Sequence, residues 1–393
     1  MFTAVVALAL LTGCQGSAVS ANSTGPSSSS AAVVPAALVS VTPADGSTDV
    51  PPSAPVQVTV SGGQLGEVTV RDAQGVTVAG TVTAGPSAGT SVWTPSTQLA
   101  YGTRYTLTAS AANASEQRAD ASASFTTVVP GSVSTPSIGP LGGQTVGVGM
   151  PIRVFFDQPV DDAHKAAVEQ HLTVVSSQPT DGTWSWLNDA EVHFRPSTYW
   201  PPNTDVTVDA DLYGVDLGGG AWGEKDREVQ FHIGAAHIST ADASNHTLTV
   251  TDGGQVVQTY PMSAGKDTTP TRNGPHVVTE SYADMTMNSS TFGLAADAPG
   301  GYSAEVEWAV RISNNGEFVH AAPWSVAQQG HSNASHGCIN LSTERAQWFY
   351  DFSQPGDVVE VSGSVGPPLS AADGDIYDWT VPWDQWRAGS ALS

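Results

Sequence analysis

The sequence predicts a mainly β protein: two β-sandwich domains followed by a third, β-rich segment that carries the chemistry. Three observations predict it. Strand-like runs with period-two alternation recur between residues 37 and 234, within a chain punctuated by 40 Gly and 26 Pro. A weak internal repeat splits that region into two units of about 100 residues. Beyond it, three His and a Cys crowd into one stretch. The 393 residues exceed one compact core, and 40% apolar residues with 11 Trp are ample for several.

Residues 1–14 read as a secretory signal. Ala4 to Leu11 form eight consecutive apolar residues, too few for the roughly twenty that span a hydrocarbon core. The small residues Thr12 and Gly13 then precede Cys14. The Leu11-Thr12-Gly13-Cys14 end resembles a bacterial lipobox, which implies acylation of Cys14 and anchorage to a membrane. No Lys or Arg precedes the apolar run. The expectation is therefore either a basic segment upstream of Met1 or an atypical signal, and a plain secretory leader with an incidental Cys14 competes with the lipobox reading. Residues 15–36 are dominated by Ser, Ala, Gly and Pro. They bury too little apolar surface to offset ordering entropy and read as a flexible tether.

The first sandwich is placed at 37–128. Val56-Gln57-Val58-Thr59-Val60 and Tyr105-Thr106-Leu107-Thr108-Ala109 alternate inward and outward. The second, at 135–234, has Ile152-Arg153-Val154-Phe155-Phe156 and Val206-Thr207-Val208-Asp209. Pro95-Ser96-Thr97 recurs as Pro196-Ser197-Thr198, and Thr103 and Thr106 recur as Thr204 and Thr207, all displaced by 101 residues. That period matches one immunoglobulin-like sandwich without establishing a common topology. Neither unit contains Cys, so the antibody-type intersheet disulfide is absent. Their His and Asp form no chemical constellation, and they read as spacers or docking modules.

The third segment, 235–362, opens with a hairpin: Thr247 to Thr251, the turn Asp252-Gly253-Gly254, then Gln255-Val256-Val257. Its informative part follows. His320, His331, His336 and Cys338 fall within nineteen residues of a chain with ten His and two Cys. A Cys nucleophile needs thiolate, and a free thiol with pKa near 8.5 is only a few per cent ionised at neutral pH. A neighbouring imidazole can take the proton and hold the pair as thiolate and imidazolium. Backbone amides must also face the oxygen of a tetrahedral intermediate, and Gly337 lets its N–H point into a pocket. Downstream, Ser342 is expected to cap a helix through Phe352 with Ala346, Phe349 and Tyr350 on its apolar face. Pro355-Gly356 stops it, and Val358 to Val361 reads as a buried strand.

Ser335-His336-Gly337-Cys338-Ile339-Asn340 resembles the active-site signature of L,D-transpeptidases with the YkuD-type catalytic domain. The run from His320 through Trp348-Phe349-Tyr350-Asp351 to Gly356-Asp357-Val358-Val359-Glu360-Val361 is similar to their mycobacterial and actinobacterial branch. In that branch immunoglobulin-like domains precede the catalytic one. The resemblance implies acyl transfer without a cofactor or metal. Cys338 attacks a peptidoglycan tetrapeptide stem between its diamino acid and D-Ala, and the side-chain amine of a second stem resolves the thioester into a 3→3 cross-link. By matching positions His320 is the general base, oriented by the backbone carbonyl of Ala321, where relatives carry Ser. His336, Gly337 and Cys338 supply amides around the oxyanion. Tyr302, Met287, Trp324, Ser335 and Asn340 match positions of the substrate cleft. Thr269-Pro270-Thr271 and Gly274 match a structural loop. Acylation of Cys338 by carbapenems is also implied, as is a location outside the membrane facing the cell wall.

The remaining features bound this reading. The Trp-rich tail, 363–393, holds Trp379, Trp383 and Trp386 and is expected to pack back on the second sandwich rather than to form a sugar platform. A net charge of −24 with only three Lys leaves no basic patch for nucleic acid. An acidic surface does attract the amine of a diamino-acid stem. Zinc held by His320, His331, His336 and Cys338 is a rival reading, disfavoured because His-x-Cys is tight for a chelating pair. His331 reads as a loop-shaping residue, and His336 as a backbone donor. Two further rivals are a wall-binding scaffold with an inactive third domain and an L,D-carboxypeptidase in which water resolves the thioester.

Overall fold

The computed structural model describes residues 35–393, apart from 88–89, 293–294, 299–300 and 375. The leader, Cys14 and all of the tether up to residue 34 lie outside the described residues. Among the described residues, no helix is long and apolar enough to cross a membrane.

The two sandwiches have one topology. In the first, one sheet runs Leu38–Thr42, Gln57–Ser61, Ser91–Pro95, Gly80–Ala84 in space. Its partner runs Ser47–Val50, Arg118–Thr127, Arg104–Ala112, Gln64–Asp72, Thr77–Val78. The second sandwich repeats the order with Ser137–Gly139, Ile152–Phe155, Glu191–Pro196, Gly182–Asn188. Facing it are Thr145–Val146, Arg227–Ile233, Thr204–Ala210, Leu172–Ser176. Each unit even pairs its second strand parallel to its last. The sequence repeat follows from this order: Pro95 and Pro196 end equivalent strands, and Thr106 and Thr207 sit on the next equivalent pair. The second unit differs by the helix Asp162–Gln170, which buries Val168.

The third domain packs two sheets around a core containing Leu248, Val250, Val319, Ile339, Leu341 and Phe349. The five-stranded sheet is ordered Gln255–Pro261, Thr247–Asp252, His237–Asp242, Val358–Ser362, Gly274–Val277. Its expected hairpin turns on Gly253 and Gly254, both at positive φ (54° and 81°), the geometry that Gly-Gly permits in a two-residue turn. The four-stranded sheet is ordered Glu280–Asn288, Ser303–Arg311, Phe318–Ala321, Ile339–Leu341. Helix Thr343–Phe352 buries Ala346 and Phe349, with Tyr350 half-buried against Trp308. Ser342 occupies the N-cap position, but its hydroxyl makes no capping hydrogen bond; the Ser342 carbonyl instead accepts the first helical bond from Ala346, 2.9 Å.

Backbone contacts tie this domain to the second sandwich. The Gly147 and Gly149 amides donate to the carbonyls of Pro355 and Gly356, both at 2.8 Å. Only glycine permits such an approach, since a Cβ on Gly147 would lie 2.3 Å from the Asp357 amide nitrogen. The tail folds onto the same sandwich. Arg195 lies over the rings of Trp379, Trp383 and Trp386 at 4.9, 5.2 and 4.8 Å. Trp386, 1% exposed, donates to the Thr183 carbonyl at 3.1 Å, so its face is not open to a sugar.

Candidate active site

The site grows from one parallel strand pair. Phe318–Ala321 runs beside Ile339–Leu341, with His320 in register with Asn340. Cys338 lies two residues before Asn340, so the period of two sends both side chains to the same side. The segment between the strands passes over that side. Eight residues singled out from the sequence, Met287, Tyr302, His320, Trp324, Ser335, His336, Cys338 and Asn340, line one cavity of about 370 Å³. Trp324 stands 61% exposed at its mouth, while Met287 and Cys338 are buried in it.

His320 is 4% exposed, and its Nδ1–H donates to the Ala321 carbonyl at 2.8 Å. A carbonyl can only accept, so Nδ1 carries the proton and Nε2 keeps a lone pair. Burial pulls the His320 pKa down to about 4, with the Ala321 carbonyl opposing. The thiol moves the other way. Burial pushes Cys338 up to about 12; a Phe318 backbone hydrogen bond opposes, the Glu317 charge adds to the rise, and Arg311 counters it. Its S–H points at the Gly316 carbonyl oxygen, 3.6 Å away. In this dry cavity burial works against both charged forms, thiolate and imidazolium alike.

The motif loop corrects an expectation. Gly337 adopts φ +128°, a region that strains L side chains. Its amide, however, donates to Ser335 Oγ at 3.1 Å instead of pointing into the pocket. Ser335 Oγ in turn donates to the Cys338 carbonyl at 2.6 Å. Ser335 thus lines the cavity with its hydroxyl committed to holding the loop, and of the three expected oxyanion donors Gly337 is occupied. From below, Thr271 Oγ1 donates to the Gly337 carbonyl at 2.7 Å.

The rim is polar. Lys266 Nζ lies 3.2 Å from His336 Nε2, which makes that nitrogen the acceptor, and the His336 ring sits 5.2 Å from Tyr302. Burial and the Lys266 charge lower the His336 pKa. Burial, reinforced by Cys338, pushes the Tyr302 phenol up to about 12. Asn340 Nδ2 donates to Ser325 Oγ at 3.1 Å, while its buried Oδ1 has no partner. His331 is exposed and lies outside the cavity lining. Among the described residues, no three His, Cys, Asp or Glu converge as a metal site.

Comparison with known proteins fits this geometry. The model of the L,D-transpeptidase catalytic domain family matches residues 236–361, and that of a bacterial Ig domain matches 47–216, spanning parts of both sandwiches. L,D-transpeptidase 2 of Mycobacterium tuberculosis (strain CDC 1551 / Oshkosh) is 42% identical over 359 residues, which cover 91% of this chain and 86% of the relative. The chain belongs to the L,D-transpeptidase family.

L,D-transpeptidase 5 of M. tuberculosis (strain ATCC 25618 / H37Rv) is 41% identical over 365 residues, 91% of this chain and 78% of that one. The solved structure of the transpeptidase LdtMt1 in complex with imipenem superposes with a TM-score of 0.51 at 37% identity, covering 60% of this chain and 100% of the other. M. tuberculosis L,D-transpeptidase 3 in complex with a faropenem-derived adduct gives 0.50 at 32%, covering 59% and 99%. In this L,D-transpeptidase the sequence reading missed Lys266, Ser325 and Gln328, the last two lining the cavity, and placed Thr271 only in a structural loop. Lys266 carried one usable signal, as the sole Lys of residues 235–362.

Proposed function

We propose that Cys338 is the nucleophile and His320 the general base of a two-step acyl transfer on peptidoglycan stems. Cys338 Sγ forms a bond to the carbonyl carbon between the diamino acid and D-Ala of a tetrapeptide, and its proton passes to His320 Nε2. Collapse of the tetrahedral intermediate breaks the C–N bond, and His320 returns the proton to the departing D-Ala amine. The side-chain amine of a second stem then attacks the thioester and gives its proton to His320. Cys338 leaves as thiol and a 3→3 cross-link remains. The His336 and Cys338 amides are the oxyanion donors in this reading, since the Gly337 amide is already bonded.

One observation carries the proposal. His320 is pinned through Nδ1 to the Ala321 carbonyl, so Nε2 is a neutral base in the same cavity as Cys338. Because burial disfavours both thiolate and imidazolium, proton transfer accompanies attack in this reading. Carbapenem and related β-lactams are proposed to acylate Cys338 in the same way; the imipenem complex and the faropenem-derived adduct of the solved relatives support this. Lipidation of Cys14 at the end of a secretory signal, with the enzyme held outside the cell membrane facing the wall, is proposed from the lipobox-like Leu11-Thr12-Gly13-Cys14. The deciding experiment incubates the protein with disaccharide-tetrapeptide and follows products by mass spectrometry. D-Ala and a cross-linked dimer are expected, and Cys338→Ala should abolish both. Release without dimer would make the enzyme an L,D-carboxypeptidase.

A further inference from the structure

Beneath the nucleophile lies a buried acid–histidine pair with no place in the steps above. Glu317 is 4% exposed and His276 is fully buried, with His276 Nε2 3.1 Å from Glu317 Oε2. They come from different sheets: His276 from Gly274–Val277, Glu317 from the residue preceding Phe318–Ala321. Buried ionisable groups are costly to keep and need every polar atom satisfied. Here each bond also ties down a segment that touches the motif loop.

Glu317 Oε1 accepts the Arg272 amide at 2.8 Å, next to Thr271, whose hydroxyl holds the Gly337 carbonyl. Glu317 Oε2 also accepts the Ser313 hydroxyl at 3.2 Å, and the Glu317 carbonyl accepts the Ile312 amide at 3.0 Å. This closes the turn that presents Gly316 and Phe318. Those two neighbours are the ones that address the sulfur, Gly316 through its carbonyl and Phe318 through its amide. His276 Nδ1 completes the set by donating to the Gly274 carbonyl at 2.9 Å. Gly337 packs over Glu317 as well, since a Cβ added there would meet Glu317 Cγ at 3.6 Å.

We propose that Glu317, clamped by His276, is a positioning residue for Cys338: it locks the Thr271 support and the Gly316–Phe318 support of the nucleophile into one frame. The inference rests on Cys338 acting as the nucleophile, as proposed above. The carboxylate has a second consequence. Cys338 is surrounded by Glu317, with His276 against its carboxylate, and Arg311 as charged groups, and by Tyr302, His320 and His336, the last against Lys266, as titratable ones around the cavity. Among these, the Glu317 charge works against thiolate. Glu317 therefore holds the sulfur in place, and its charge adds to the burial that disfavours thiolate.

The frame and the charge separate in two variants of the full chain, read by iodoacetamide alkylation of Cys338 at pH 8 and by steady-state D-Ala release. Glu317→Gln keeps an acceptor for the Arg272 amide but removes the charge, so alkylation should accelerate about tenfold. His276→Gln keeps the carboxylate and loosens its clamp. It should lower kcat about tenfold with KM unchanged, without accelerating alkylation. Equal acceleration in both variants would mean general loosening and would overturn the proposal, as would a Glu317→Gln rate equal to wild type. Should Glu317→Gln not fold, His276→Gln decides alone, and faster alkylation than wild type sinks the idea. Alkylation needs no stem peptide. A wild-type enzyme that released no D-Ala would retire the transpeptidase mechanism and leave the alkylation comparison still readable.

Discussion

Two histidines of this enzyme are equally buried and titrate in opposite directions. His193, 1% exposed, lies under the C-terminal segment between Asp378 and Glu191, each at 2.8 Å. Burial alone would lower it, but the charge and hydrogen bond of Asp378, joined by Glu191, carry it up to about 9. His320, 4% exposed, meets only a backbone carbonyl and falls to about 4. Desolvation is common to both, and what decides is whether the partner bears a full charge or a dipole. The first arrangement makes a fastener for the tail. The second leaves an imidazole whose burial favours the neutral form, as the proposed general base requires.

The sharpest way to break the comparison is to exchange the roles. His320→Gln should cut kcat/KM for D-Ala release about a thousandfold, within the range for loss of a general base, while melting stays near wild type. His193→Gln should do the reverse and leave kcat/KM within about twofold. Next in size, Asp378→Asn strips the buried ring of its principal counter-charge. Urea denaturation at pH 7 should show a loss of about 3 kcal/mol.

Titration offers a subtler test. The stabilisation from His193 is complete below its ordinary value near 6.5 and is lost as pH rises through about 9, up to about 3 kcal/mol. That from His320 is present above 6.5 and is lost as pH falls through about 4. Stability measured from pH 4 to 10 should therefore decline on both flanks, the alkaline one vanishing in His193→Gln and the acid one shrinking in His320→Gln. Smaller still, Gly337→Ala forces a side chain to φ +128° and should cost about 1–2 kcal/mol, read by thermal melting, with a loss of kcat as the loop shifts. Smallest is Ser342→Ala. Its hydroxyl caps nothing, so the expected change is within about 0.5 kcal/mol. A loss near 1 kcal/mol would show that the cap forms in solution.

Much of the site was legible because it is local in the chain. Gly337 beside Cys338 and the hairpin at Gly253-Gly254 are readable from neighbours, and His320, eighteen residues before Cys338, from its match to the family signature. The eight residues singled out in advance line one cavity. The helix Asp162–Gln170 was missed because only Val168 and Glu169 of its nine residues are buried, which leaves a faint apolar stripe. Lys266 was missed, and the partner of Thr271 in its structural loop was not legible, because both lie about seventy residues from the groups they touch. Nothing near them in the chain marks that partnership.

Taken alone, the sequence determined the mainly β class, a repeat of about 100 residues without its topology, and the cluster of His320, His336 and Cys338; the roles of base and nucleophile came from the family resemblance. Each depends on side-chain period, turn chemistry or a motif whose members are close in the chain. Tertiary structure alone decided that burial disfavours the charged forms of both Cys338 and His320, that the Gly337 amide is spent on Ser335, and that Glu317 and His276 meet near Cys338. Protonation and donor availability depend on how dry a group becomes and which charge lies beside it. Those partners come from other strands and loops, brought together only when the two sheets close.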